Sequence, residues 1–493
     1  MFQRLYPALI IGVCLCLAVP LYAQRLVSTD PAPKRAVLEE FGGIYCVYCP
    51  HGHQIIRDME EALEESFISL NYQVGAYAVP LGQDPDLRTD YGAAIAEQSG
   101  LSGYPAATVN RLVFPGMEQG DPGTTALNRS RWTAAVQSVL QQTAPVNIAI
   151  EASLNITTLE LEVYLEYYYT TNAEGAENRL HLAVLQNNVL APQHGGAQGA
   201  YYVHQHLVRD FLTGADGHRI SSNTAGAFGS LTYRVTLPNT YRDIWVDPVN
   251  IELVAFITED TQNILNGVKM LPALASNAAA DANLLALKGA DDTCGDPYEV
   301  QLLVRNDGQA PLTSLTIDYG LVGGLTEQYY WTGDLGQFET TSIDLPSLVA
   351  SSWLRENEAY AVLRYPNGGA DPTLYNNERT HTFTVAPIAQ TPNLELAIRT
   401  DEYGYELYWE IVDDFGEIYA SGGNQVVGET DGGAQIATAE DPGAYPSSTF
   451  LVEEIELPTE GCYQLRVLDD FADGLCCYYG NGFYQLRQIG QSP

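Results

Sequence analysis

Two cysteines separated by two residues, Cys46 and Cys49, are the side chains of this sequence best suited to chemistry. Pro50 follows them, and the apolar residues beyond it have helical spacing, so the pair is predicted to lie at the N-terminus of a helix. Unpaired backbone N–H groups and the helix dipole favour a thiolate there. The sequence therefore predicts an exposed, acidic and nucleophilic Cys46, with Cys49 able to close a disulfide on it.

The elements that must position this pair follow from the pattern around it. An apolar run at 36–38 leads into a Gly-Gly turn and predicts a strand before the cysteines, and 68–79 predicts a second strand. Residues 84–99 and 124–140 predict helices, and the stretch after Gly103-Tyr104-Pro105 predicts a further strand. The first domain, 24–144, is therefore expected to be an α/β sandwich.

The stretches VLEEFGGIYCVYCPHGH and YPAATVNR resemble the thioredoxin-like part of the outer-membrane protein 28 family of the Bacteroidota, and YYVHQHLVRDFLTG at 201–214 extends the resemblance. The resemblance implies a thioredoxin-like fold and a protein thiol–disulfide oxidoreductase. It also implies that Pro105 follows a cis peptide bond and, with Tyr104 and Tyr48, contacts the substrate.

The same resemblance implies a buried acid six residues before the first cysteine, which is Glu40 here. A buried carboxyl has a raised pKa and could accept the proton of Cys49 while that thiol resolves a mixed disulfide formed on Cys46. Alternatively, Glu40 points to solvent beside Glu39. His51 could lower the thiol pKa further when it is protonated, or could simply be exposed at the helix start.

Composition and targeting signals bound the function. Residues 1–23 read as a secretory signal peptide without a convincing lipoprotein motif, and no later run is apolar enough to span a membrane. The formal net charge of −38 argues against nucleic acid and anionic membrane surfaces as partners. We expect an exported protein, in the periplasm, at the outer membrane or cell surface, or secreted.

From residue 145 the hydrophobic period changes from helical to two, as at 159–167. This predicts a multidomain chain, α/β plus all-β, with antiparallel β-sandwich domains (immunoglobulin-like or jelly-roll-like) after the first. The expected boundaries are 145–285, an immunoglobulin-like unit at 286–388, and a C-terminal module at 389–493. His204 and His206 share a strand face and could bind a metal, or one could serve a loop hydrogen bond while the other is exposed.

The C-terminal module contains three cysteines and an acidic turn. Cys462 is predicted to pair with Cys476 or Cys477 across that turn, while Cys294 is left free or bridges to this module. The turn carboxylates could bind Ca²⁺ or form an ordinary acidic turn; they are Asp469, Asp470 and Asp473.

Two functions compete on this sequence. The first is an exported thiol–disulfide oxidoreductase that needs no cofactor and acts on protein or peptide disulfides. The second is a cell-surface binding or adhesion protein that uses the thioredoxin-like domain as a scaffold. A metal enzyme built on the two histidines of 204–206 is a third and more distant possibility.

Overall fold

The computed structural model describes residues 26–489 except 83, 174, 176, 197–201, 296, 351–352, 414, 459, 472–473 and 477–478. The predicted signal peptide, 1–23, lies outside the described residues. None of the helices in the described part of the chain has the length and hydrophobicity of a membrane span.

Strands dominate the described chain. The helices are α1 (Cys49–Leu63), α2 (Gly92–Ser99), α3 (Arg129–Leu140) and α4 (Gln425–Thr430). The strands up to the middle of the chain are β1 (Ala36–Gly42), β2 (Phe67–Gln73), β3 (Ala106–Val109), β4 (Leu127–Asn128), β5 (Val146–Asn155), β6 (Glu160–Tyr169), β7 (Asn178–Gln186), β8 (Val189–Ala191), β9 (Tyr202–His204), β10 (Leu207–Phe211), β11 (His218–Ile220), β12 (Phe228–Thr236), β13 (Thr240–Tyr241), β14 (Ile244–Trp245), β15 (Ile251–Glu259), β16 (Ile264–Met270) and β17 (Ala273–Ala275). The remaining strands are β18 (Ala282–Lys288), β19 (Asp292–Thr293), β20 (Gln301–Asn306), β21 (Leu312–Leu321), β22 (Thr326–Leu335), β23 (Thr340–Asp344), β24 (Glu356–Arg364), β25 (Glu378–Val385), β26 (Asn393–Arg399), β27 (Leu407–Asp413), β28 (Ile418–Gly423), β29 (Phe450–Glu456), β30 (Tyr463–Asp469) and β31 (Phe483–Gln488).

One large sheet contains strands from both sides of the predicted 144/145 boundary. Its order is β16-β15-β7-β10-β2-β1-β3-β4, with β11 paired to β7. The link between the two halves is β10, which pairs with β2 through Leu207 and Asn71 and with β7 on its other edge. The expected boundary therefore does not separate two sheets, because β10 supplies the strand that completes the edge of the first.

The faces of this sheet are covered by different elements. Strand β1 is buried along its whole length, as a central strand flanked by layers on both faces must be. Helices α1 and α3 cover one face through a core that includes Ile56, Met59 and Trp132. The other face packs with α2 in a core that joins residues of β1 and β2 to residues of β7, β10 and β15.

A four-stranded sheet, β12-β6-β5-β17, packs against the part of the large sheet formed by β7 and β15. In β6, Leu161, Val163 and Leu165 are buried, while Glu160 and Glu162 are exposed. The alternation predicted at 159–167 is therefore confirmed from 160 to 165, since one face of an antiparallel strand lies on the core. Glu166, predicted on the outer face, is instead buried and accepts hydrogen bonds from the backbone N–H groups of Leu26 and Val27.

The rest of the described chain forms two β-sandwiches, which confirms the all-β prediction for this half. The first combines β18-β20-β23 with β19-β25-β24-β21-β22 around one core. It begins at β18, a few residues before the predicted start at 286. The second combines β29-β26-β31 with β28-β27-β30 around a smaller core.

A disulfide joins these two sandwiches. Cys294 is bonded to Cys462, with a Cα–Cα distance of 5.7 Å and a sequence separation of 168. The prediction that Cys462 pairs within its own module is therefore wrong, and the alternative of a bridge from Cys294 is correct. Cys476 is also disulfide-bonded, and Cys477 lies outside the described residues.

The acidic turn of the last module is only partly described, because Asp473 lies outside the described residues. Asp469 accepts a hydrogen bond from the backbone N–H of Phe471. Asp470 is buried and accepts one from the backbone N–H of Ala437 at 2.8 Å. Among the described residues, no group of three or more His, Cys, Asp or Glu could hold a metal ion, so calcium binding at this turn stays a prediction.

Candidate functional site

The Cys46–Cys49 pair lies where β1 ends and α1 begins. The two residues form a disulfide with a Cα–Cα distance of 5.4 Å. Cys49 is the first residue of α1 and Pro50 follows it, where a missing N–H costs no helical hydrogen bond. The free N–H groups of this first turn face the cysteine loop and favour a thiolate there. His51 is exposed.

Cys46 is not exposed, in contrast to the prediction: it is 4% accessible and Cys49 is inaccessible. A segment at 192–196, between β8 and β9, covers the loop that carries it. Gln193 Nε2 lies within hydrogen-bond distance of the carbonyl oxygens of Gly43 (3.1 Å), Ile44 (3.3 Å) and Cys46 (3.0 Å). This segment follows the first domain by about fifty residues, so local sequence patterns gave no sign of it.

Gly195 allows the covering segment to approach the cysteine loop closely. Its φ is +72°, and a Cβ added there would come within 2.3 Å of the carbonyl oxygen of Val47. The backbone N–H of His194 donates to the carbonyl of Ile44 at 2.8 Å. The side chain of Ile44 packs with Val189 and Leu207 in a small core. The loop and the 192–196 segment therefore form one packed unit.

The Tyr104–Pro105 peptide bond is cis, as expected. It leads directly into β3, which pairs antiparallel with β1. Tyr104 is half-buried and packs edge-on against Tyr77, with ring centroids 5.7 Å apart. Its hydroxyl occupies the space beside Gly75, where a Cβ would lie 2.0 Å from the oxygen.

Tyr48, the other tyrosine predicted to contact substrate, is half-buried and lies under the guanidinium of Arg129, 5.0 Å from the ring centroid. Its hydroxyl is buried without a hydrogen-bond partner among the described residues. Burial and the carboxylate of Asp470, from the last module, raise the pKa of Tyr48 against the lowering effect of Arg129.

Glu40 is buried, 1% accessible, so the alternative of a solvent-facing carboxylate is wrong. It shares a face of β1 with Gly42, because residues i and i+2 of a strand point the same way. A Cβ on Gly42 would lie 2.9 Å from Cys49 Sγ, so this face of β1 packs against that sulfur. Glu40 lies on the same face, two residues before Gly42. The adjacent Glu39 points to the opposite face and forms an ion pair with Arg111 at 2.7 Å.

Burial raises the pKa of Glu40 to about 8 and outweighs the hydrogen bond from Asn71. Asn71 is its direct neighbour on β2 and donates to Oε2 at 2.8 Å. The other oxygen, Oε1, has no hydrogen-bond partner among the described residues and lies 3.6 Å from His53 Nε2. The carboxyl can therefore hold or release a proton near neutral pH.

His53 and Tyr202 complete this buried group, and sequence analysis did not identify either. His53 lies one turn after Cys49 on α1, and burial lowers its pKa to about 3, so the ring is neutral. Its Nδ1 lies 2.7 Å from the hydroxyl of Tyr202, which is 149 residues away in sequence. The spacing of four residues from Cys49 on a helix is the one sequence signal that could have indicated His53.

His204 and His206 do not form a shared metal site. His204 is buried with Nε2 3.2 Å from the carbonyl of Pro192. His206 lies between Glu60, at 2.7 Å, and Glu252, at 2.9 Å. Burial opposes its charge, but these two carboxylates outweigh burial and raise the pKa of His206 to about 9. His206 is therefore a half-buried cation that links α1 to β15.

Residues 93–273 match the family model described as outer membrane protein Omp28. The resemblance seen in the sequence is confirmed for this stretch, and the prediction of an exported protein agrees with it. The Omp28 match includes Pro105 and Tyr202 but begins after Cys46 and Cys49. No curated protein matches the chain.

Several solved structures are similar to parts of the chain. HBP35 of Porphyromonas gingivalis is 15% identical over 64% of this chain and 98% of its own, with a TM-score of 0.39. A domain of the outer membrane lipoprotein Omp28 of Porphyromonas gingivalis is 16% identical over 27% of this chain and 92% of its own, with a TM-score of 0.19. The CARDB domain of a Pyrococcus furiosus protein is 19% identical over 22% of this chain and 89% of its own, also with a TM-score of 0.19.

Proposed function

We propose that this protein is an exported thiol–disulfide oxidoreductase with a thioredoxin-like first domain, acting on protein or peptide disulfides. The observation that carries the proposal is the Cys46–Cys49 disulfide at the start of α1, on the same face of β1 as the buried Glu40. The fold supports it: β1 runs parallel to β2 and antiparallel to β3, and β3 follows the cis peptide bond before Pro105.

The electrons balance between the cysteine pair and the substrate disulfide, Glu40 holds the proton of Cys49, and solvent returns the proton that Cys46 lost when it ionised. With the pair reduced, the thiolate of Cys46 attacks a substrate disulfide, a mixed disulfide forms, and the first substrate sulfur leaves as a thiolate. Cys49 gives its proton to Glu40 and attacks the sulfur of Cys46, which releases the second substrate thiolate. Both substrate thiolates take up protons, the substrate disulfide is reduced to two thiols, and the enzyme dithiol is oxidised to the disulfide. The reverse sequence oxidises a substrate dithiol.

His53 and Tyr202 act as positioning residues in this proposal. A neutral His53 beside Glu40 avoids a fixed positive charge that would hold the carboxyl ionised. Burial keeps the pKa of Glu40 at about 8, near that of a thiol, against the lowering effects of Asn71, His206 and Arg57, and this value suits proton exchange with Cys49.

The 192–196 segment covers the loop that carries Cys46, so a substrate must pass this segment to reach Cys46. A substrate must approach beside Tyr104 and Pro105, or Gln193 must release the carbonyls of the cysteine loop. The proposal therefore favours flexible peptide disulfides over disulfides inside folded domains.

The second candidate is a binding protein at the outer membrane or cell surface that keeps the first domain as a scaffold. The 4% accessibility of Cys46 favours it, as does the outer-membrane description of the Omp28 family. Under this function the disulfide would be structural and inert to exchange.

Insulin reduction by dithiothreitol tests the choice. Wild-type protein should accelerate it, Cys46→Ser should abolish the acceleration, and Cys49→Ser should trap mixed disulfides that are visible on a non-reducing gel. Cys294→Ser is the matched control, since it opens the disulfide to Cys462 and should leave the rate unchanged. Two results together would favour the scaffold function over the redox function. Wild-type protein would exchange with no test disulfide, and its Cys46–Cys49 bridge would resist strong dithiols.

A further inference from the structure

Strand β12 (Phe228–Thr236) forms one edge of the four-stranded sheet β12-β6-β5-β17. It pairs with β6 along its whole length, in a continuous antiparallel register without a bulge. At about 3.3 Å per residue, its nine residues span about 30 Å. This edge contains none of the residues of the redox proposal.

Backbone hydrogen bonds at the two ends of β12 show which of its residues point away from β6. The N–H of Leu237 donates to the carbonyl of Leu159, and the N–H of Tyr169 donates to the carbonyl of Ala227, both at 2.9 Å. Because hydrogen-bonded pairs alternate along an antiparallel ladder, the odd-numbered residues between Ala227 and Leu237 bond to β6 and the even-numbered residues face outward. The outward residues are Phe228, Ser230, Thr232, Arg234 and Thr236. In the described part of the chain, no other strand, loop or side chain bonds to the outward backbone groups of these residues.

This edge lacks the features that normally keep an edge strand from pairing with another chain, which are lysine, proline, a bulge or short length. The sequence of β12, FGSLTYRVT, contains no lysine, proline or acidic residue. Its one charged side chain, Arg234, is bonded to Glu162 of β6 at 2.6 Å. Another long edge strand of the described chain, β22, carries Glu327 and Asp334, and its register with β21 shifts. The β12 edge is therefore open to a strand that continues the sheet.

The core-facing side chains of β12 are also only partly covered. Leu231, Tyr233 and Val235 pack against the core between the two sheets, but each is half-buried. The β6 residues opposite them are buried. A strand added at the β12 edge would cover this row, because side chains on neighbouring strands lie about 5 Å apart.

We propose that β12 pairs antiparallel with β12 of a second copy of this chain, in a two-fold symmetric dimer. Only pairings that place an even-numbered residue opposite an even-numbered residue use the outward backbone groups of both strands. Among these pairings, the one centred on Thr232 includes all nine residues of both strands. Thr232 then lies opposite Thr232 of the second copy, as the symmetry of such an interface requires.

The side chains that meet in this register are compatible. On the core side, Leu231 lies opposite Tyr233 of the second copy, an aliphatic–aromatic pair of the kind that stabilises sheets. Val235 of the second copy lies opposite Gly229. The ring of Tyr167 already covers that glycine, because a Cβ added there would lie 2.3 Å from the Tyr167 hydroxyl oxygen. No residue of β12 meets a like charge, although the chain has a formal net charge of −38.

Analytical ultracentrifugation of the chain lacking its signal peptide, over micromolar concentrations, tests the proposal. We expect a monomer–dimer equilibrium. Thr232→Lys and Thr232→Glu should each raise the dissociation constant about fivefold, because either substitution places like charges opposite each other at the two-fold axis. Thr232→Val keeps a β-branched side chain and should leave the dissociation constant unchanged. Thr382→Lys is the matched control, since Thr382 is an exposed threonine on β25.

Thr232→Pro tests the backbone pairing itself. Its missing N–H faces outward, so the change costs β6 no hydrogen bond but should weaken the dimer by about tenfold or more. Hydrogen exchange within 228–236 should slow as the concentration of wild-type protein rises. Thermal melts of the variants would show whether each remains folded, and the Lys, Glu and Val variants carry the test if the proline variant unfolds.

Three results would overturn the proposal. Opposite effects of Thr232→Lys and Thr232→Glu would assign association to the net charge of the chain. A dimer that none of the Thr232 variants weakens would place the interface on another surface. A chain that stays monomeric, with fast exchange in 228–236 at every concentration, would exclude a second copy as the occupant of this edge.

Discussion

Replacement of Glu40 by glutamine should remove the pH dependence that Glu40 gives to stability around β1. Burial raises the pKa of Glu40 from an ordinary value of 4.5 to about 8. A carboxyl whose pKa is higher in the folded state stabilises the fold below the unfolded pKa and loses that contribution as pH rises through the folded pKa. Between pH 5 and pH 8, wild type should therefore lose about 3–4 kcal/mol that Glu40→Gln keeps. Glutamine can still accept the hydrogen bond from Asn71.

Hydrogen exchange of peptides from β1 and β2 measures this locally, which suits a chain with several cores. The ratio of protection between variant and wild type should grow by roughly 300-fold from pH 5 to pH 8. Other groups that titrate in this range cancel in the comparison, because they are present in both proteins. A ratio that does not change with pH would refute the buried, proton-holding Glu40 and, with it, its role as the acceptor for Cys49.

Glu39→Gln is the matched control on the preceding residue of the same strand. Glu39 is ion-paired with the buried Arg111, so its replacement leaves an unpaired buried charge. It should destabilise the domain by about 3–5 kcal/mol at both pH values. A pH dependence like that of Glu40→Gln would show that the effect is not specific to the face of β1 that lies against Cys49.

Three further predictions follow from contacts away from Glu40. His206→Gln should destabilise the protein at pH 6, and the difference from wild type should disappear as pH rises through about 9, as thermal melts at matched pH would show. Gln193→Ala should increase the alkylation rate of Cys46 in reduced protein, measured by mass spectrometry; an unchanged rate would mean that the 192–196 segment does not restrict access. Cys462→Ser should make the connection between the last two sandwiches more sensitive to limited proteolysis, because the covalent link to Cys294 is gone, and cleavage as slow as in wild type would contradict that role.

The sequence by itself determined the local chemistry of the first domain. A strand, a Cys-x-x-Cys turn and a helix follow from patterns within about twenty residues, because helix starts and strand periods are local properties. The burial of Glu40 and the cis bond before Pro105 came from the family resemblance, and the structure bears out both. The β-sandwiches were predictable because alternation of period two is present in several of their strands, such as β6 and β24.

The tertiary structure decided what surrounds that chemistry. Tyr202 reaches His53, and Gln193 covers Cys46, across about 150 residues of sequence. Strand β10 completes the large sheet from beyond the expected boundary. These contacts depend on which sheet edges and loops meet in the folded chain, and hydrophobic period does not encode that choice. Cys462 likewise pairs with a distant cysteine rather than a nearby one, because a disulfide requires that the two backbones meet at the right distance, and sequence separation does not set that distance.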